Sequence, residues 1–238
     1  MTVVVPLVDV TLRAMLGRRR TVLLVLLAGL PVLVALLIRV SGGRPDADRV
    51  LDTLVVRFVM ALVALIVGTA VLGSEIEDGT AVYLMVKPIA RWRIVLPKLA
   101  AAFLVGGIPV AVSGFLAVAV VGGGGALRGA LATGAGLLVG AAAYGALFTW
   151  AGLATRHALL IGLVYVFVWE ATLAAYLDGI RFLSIRRYTL AVIHGLDAAR
   201  LATIENPLSA GAALVAAAVV VVGFTALAVR KLVRLDVP

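Results

Sequence analysis

The stretch TVLLVLLAGLPVLVALLI, residues 21–38, contains no charged side chain. A helix needs about 20 predominantly apolar residues to cross the hydrocarbon of a bilayer. With Arg39 and Val40 the stretch fills residues 21–40. Comparable stretches occupy residues 53–73, 96–121, 130–154, 158–177 and 206–229. Across the 238 residues, 63% are hydrophobic and 14% charged. A soluble domain averages roughly 45–50% apolar and about 25% charged. A chain of this size cannot bury so much apolar surface beneath a polar shell. The composition excludes a soluble globular domain, and it excludes disorder, which needs low hydrophobicity. The sequence thus predicts an all-α membrane protein with six transmembrane helices.

Six spans place both termini on one side. With the amino terminus inside, twelve of the 21 Lys and Arg residues fall in inner segments and seven in outer ones. The excess of basic residues predicts that both termini are cytoplasmic. The net charge of +9 is then the mark of basic inner loops, and no nucleic-acid partner is expected. Residues 1–20 place Val8, Leu12, Met15 and Leu16 on one helical face and end in Arg18-Arg19-Arg20. Two readings stand side by side: an amphipathic helix on the inner surface, or a basic flank that only sets topology.

The segment SEIEDGTAVYLMVKPIARWRIVLPK, residues 74–98, joins the second and third spans on the inner side. Ser74, followed by Glu75, Glu77 and Asp78, reads as a capped helix start. Gly79-Thr80 interrupts it, residues 81–86 are apolar, and Lys87-Pro88 ends the stretch. Arg91-Trp92-Arg93 returns the chain to the interface, where Trp anchors well. A short cytosolic helix with an apolar middle and charged rims suits docking to a soluble partner. A solvated basic loop accounts for the same residues.

This segment resembles the first cytoplasmic loop of type-2 ABC exporter permeases, the ABC-2 family. The matching residues are Glu75 and Glu77, Gly79-Thr80, Leu84, Lys87-Pro88-Ile89, Arg91 and Lys98. Pro97 stands where the family pattern has glycine. The resemblance covers residues 74–98. It implies that residues 74–93 hold a coupling helix seated in a groove of a separate ABC ATPase. It also implies two ATPase copies, a second permease copy forming a homodimer, and residence in a bacterial plasma membrane. ATP and Mg would then sit on the partner ATPase, with no cofactor in this chain.

Two charges lie within predicted spans, Arg57 and Glu170. An isolated intramembrane charge costs several kcal/mol unless it is paired or faces water. Both fall in the outer half, at depths that permit a pair. The resemblance sets their spans beside the dimer axis and translocation path. They stand as candidates for a polar element of that path, or for a structural pair that locks helices; Arg57 can also snorkel outward.

Gly136-x-x-x-Gly140 has the spacing for close helix approach. Pro31 and Pro109 can kink the first and third spans. In residues 178–205, Phe182, Ile185, Thr189, Val192 and Leu196 follow helical spacing. This predicts one or two outer helices, and the resemblance makes them re-entrant. Asn206-Pro207 reads as the start of the last span.

The chain has no Walker A pattern, no H-E-x-x-H pair and no G-x-S-x-G elbow. It contains no cysteine and two histidines, and it is expected to hold no metal and to catalyse nothing alone. Three function classes follow. The first is an exporter permease moving a lipophilic or amphiphilic substrate. The second is an intramembrane lipid-modifying enzyme, which would need acidic, His or Ser residues clustered at one depth. The third is a passive scaffold or channel, which would not need the Glu75–Lys98 pattern.

Overall fold

The computed structural model describes residues 18–42, 53–77, 90–122, 126–173, 183–198 and 208–234. Among the described residues the chain is helical, without strands. Helix α1 is Arg18–Val40. Helix α2 spans residues 53–77, a π-helical start at Thr53–Val59 continuing as Met60–Glu77. Helix α3 is Trp92–Gly122, with a π-helical turn at Phe103–Gly107. Helix α4 is Leu127–Ala154. Helix α5 begins as Ala158–Val164 and widens into a π-helical segment, Tyr165–Leu173. Helix α6 is Ile185–Leu196, and α7 is Ala210–Val233.

Five helices are long and apolar enough to cross a bilayer: Thr21–Val40, Thr53–Gly73, Trp92–Gly122, Leu127–Ala154 and Ala210–Val233. By length and composition this is a multi-pass membrane protein. The predicted span 158–177 enters as a shorter apolar helix, Ala158–Glu170. Its expected end, like residues 1–17 and most of the segment 74–93, lies outside the described residues.

Helix α4 is the hub, packed against α2, α3, α6 and α7. Its small residues permit this: a Cβ on Gly152 would stand 2.7 Å from the Thr69 carbonyl oxygen of α2. Such backbone approach favours dispersion contact in a medium that offers no hydrophobic drive between helices. The apolar windows of α2 and α4 are each 67% buried, against 22% for α1 and 17% for α7. The outer two helices therefore present most of their apolar surface to lipid.

The bundle has two ends. The near end gathers Leu23, Gly73, Gly152 and Arg156 around one cleft. At the far end the Arg39 guanidinium donates to the Val120 carbonyl at 2.6 Å, tying α1 to α3.

Two local readings are corrected. Ser74 does not begin a helix: α2 runs unbroken through it, and Ser74–Glu77 form its last turn. Helix α3 starts at Trp92, so Pro97 falls inside it. Helix α7 is capped by the Ser209 hydroxyl, which accepts from the Ala212 amide at 3.2 Å; the predicted start at Asn206-Pro207 lies outside the described residues.

Candidate functional site

Glu170 lies in the π-helical segment of α5 and is 3% exposed. A buried carboxylate needs donors, and three converge on it. The Ile185 amide donates to Oε1 at 2.9 Å, the Ser184 hydroxyl to Oε2 at 2.5 Å, and the Tyr165 hydroxyl to Oε1 at 3.3 Å. Ser184 is the cap of α6, its Oγ also accepting from the Arg187 amide at 3.3 Å. The carboxylate thus sits on the amino-terminal end of α6, where unsatisfied amides and the helix dipole favour an anion. At the other end of α6, Arg128 Nε donates to the Leu196 carbonyl at 3.1 Å. An anion and a cation bracket the helix in the sense its dipole prefers.

The long side of α6 is equally fixed. Ile185, Tyr188, Thr189, Ala191, Val192 and Ile193 are buried. The predicted glycine pair of α4 receives this face. A Cβ on Gly140 would collide with the Thr189 hydroxyl and stand 2.6 Å from Met60 Sδ; one on Gly136 would collide with Ile193. The glycine spacing predicts close helix approach, and the helix that approaches is the short α6. Burial and the Glu170 charge push the Tyr188 phenol upward from its ordinary range.

Arg57 is half-buried in the π-helical start of α2. Its neighbour Phe58 meets Phe167 of α5, with ring centroids 6.2 Å apart. The two intramembrane charges therefore lie on adjoining helices, each in a π-helical segment, a geometry common at functional positions. Glu170 draws its donors from α5 itself and from α6.

At the near end, Glu75 and Glu77 belong to the final turn of α2, the negative pole of that helix. Lys98 is 2% exposed, and its ammonium donates to the Val71 carbonyl at 3.4 Å, joining α3 to α2. Arg91 stands at the start of α3, and Arg93 lies over the Trp92 ring at 5.2 Å. Gly79, Thr80, Leu84, Lys87 and Pro88 lie outside the described residues.

Sequence reasoning singled out Glu170 but missed Ser184 and Tyr165. A serine just before an amphipathic run is a readable cap signal. Nothing in the sequence says that a carboxylate 14 residues upstream shares that cap. No family model matches the chain, and no curated protein matches it.

Proposed function

We propose that this chain is the membrane-spanning permease subunit of an ATP-driven exporter of the ABC-2 type. It has six spans, the near end and both termini in the cytoplasm of a bacterium, and residues 178–205 closing the outer end. Two copies work with two copies of a separate ATPase and move a lipophilic or amphiphilic substrate by alternating access. The observation that carries this reading is the pattern of residues 74–98.

The geometry around that segment supports it. Glu75 and Glu77 fall in the last turn of α2, where the connecting segment begins. Lys98 clamps α3 to α2, and Gly152 seats α2 against α4. A push on the connecting segment is therefore delivered to three packed helices together. At the far end the bracketed α6 forms a rigid cap whose position follows α4 and α5.

Co-expression with the candidate ATPase provides the test. ATP hydrolysis should appear in the co-purified complex and be absent from the isolated chain. Turnover of a lipid by the isolated chain would instead support an intramembrane enzyme.

A further inference from the structure

At the near end, α1, α2, α4 and α5 enclose a cleft of about 290 Å³. It differs from the cavity between α2, α3 and α4, and from the groove between α1 and α3, both lined almost wholly by apolar side chains. This cleft is lined by the apolar side chains Leu23, Ile66 and Leu159 and by Thr69, Thr155 and Arg156; the buried Thr69 hydroxyl donates to the Leu65 carbonyl at 2.7 Å, so Thr155 and Arg156 supply its available polar groups. Leu23 is 46% and Leu159 51% exposed, so these apolar side chains face outward from the bundle. Arg156 lies in the short turn between α4 and α5 and is exposed. It makes no hydrogen bond or ion pair among the described residues. The Thr155 hydroxyl oxygen accepts from the His157 amide at 3.2 Å, which leaves its proton free to donate.

We propose that this cleft binds one anionic phospholipid from the leaflet at the near end. The phosphate meets the Arg156 guanidinium and the Thr155 hydroxyl, and an acyl chain runs along Leu23 and Leu159. Three features argue for that occupant. A guanidinium offers several donors in a plane matched to phosphate oxygens. Exposed apolar side chains, Leu23 and Leu159, and the polar groups of Thr155 and Arg156 line one cleft, the pairing that a lipid's chain and headgroup need. The backbone of α1 places Arg18, Arg19 and Arg20 in the turn before Thr21 at the same end, adding positive potential toward an anionic leaflet. Glu75 and Glu77 continue α2 beyond Gly73, the last residue of that helix to line the cleft. The proposal goes beyond the permease reading and does not need it, because lipid retention can be measured without a transport partner.

The test is native mass spectrometry of the purified full chain in detergent, titrated with dioleoylphosphatidylglycerol or dioleoylphosphatidylcholine. Phosphatidylglycerol should be retained in preference to phosphatidylcholine. Arg156→Ala should weaken that retention about fivefold, the worth of one basic residue near an anionic surface, while Arg156→Lys keeps most of it. Leu159→Trp, which fills part of the cleft, should lower the binding of both lipids. Millimolar sodium phosphate should not displace the lipid. Equal retention of the two lipids, or an unchanged Arg156→Ala variant that melts like the parent, would overturn the proposal. Displacement by inorganic phosphate would assign the cleft to a free anion instead. Loss of ATPase association with intact phosphatidylglycerol retention would assign Arg156 to a protein interface. Both outcomes reject the lipid site.

Discussion

Replacing Glu170 by alanine removes the acceptor for the Ile185 amide and the Ser184 hydroxyl, both buried, and for the more distant Tyr165 hydroxyl. Hydrogen bonds to a charged group contribute about 1.5–3 kcal/mol each, and a buried donor left unpaired costs roughly 1–3 kcal/mol. The lost anion at the head of α6 adds about 0.3–1 kcal/mol. Removing the carboxylate also removes its own desolvation cost, which offsets part of this total. The net loss expected for Glu170→Ala is about 3–5 kcal/mol. Glu170→Gln keeps a carbonyl acceptor for the Ile185 amide and should lose roughly 1–2 kcal/mol. At about 2–4 °C per kcal/mol, the alanine variant should melt at least about 6 °C below the parent in detergent. Ser184→Ala provides the second arm. Because both residues hold the same helix start, their effects should couple by about 1 kcal/mol or more in a double-mutant cycle. An alanine variant within about 2 °C of the parent, or strictly additive effects with Ser184→Ala, would show that this carboxylate does not hold α6.

Gly140→Ala should destabilise the chain by about 1–3 kcal/mol, since its methyl meets Thr189 and Met60. Gly223→Ala, with nothing within 4 Å, should be neutral or slightly stabilising in the same melts. Double replacement of Glu75 and Glu77 by alanine should leave membrane insertion intact but uncouple transport from ATP hydrolysis. The expected loss of docking is about 2–5 kcal/mol, and unchanged ATPase stimulation would remove these residues from the interface. The isolated chain should bind no ATP, because it has no phosphate-cradling loop; saturable photolabelling by an azido-nucleotide at micromolar concentration would contradict this.

The long helices were legible because hydrophobicity is nearly their whole specification. Residues 21–40 and 130–154 were predicted within a turn of α1 and α4. Ends were harder to read. Ser74 resembled a cap, yet nothing before it breaks the helix, so α2 continues and the acidic pair falls at the opposite pole from the one predicted. Ser209, whose hydroxyl caps α7 by accepting from the Ala212 amide, was not singled out. The Gly136–Gly140 spacing announced close packing without naming its partner, since a glycine face records only that something approaches. Glu170 was visible as an isolated acid in an apolar run. Its donors were not, because a capped turn between two helices is a tertiary arrangement with no period of its own.

The proposed docking of residues 74–93 to an ATPase is directly measurable, because the chain contains no cysteine. Leu84→Cys in the full chain, co-expressed with the candidate ATPase carrying single cysteines along the groove beside its nucleotide-binding face, should form an intermolecular disulfide. The yield should change on ATP binding, and Leu116→Cys, within α3, should form none. A complex that assembles and hydrolyses ATP while Leu84→Cys and its neighbours cross-link to no groove position would contradict the coupling role of this segment.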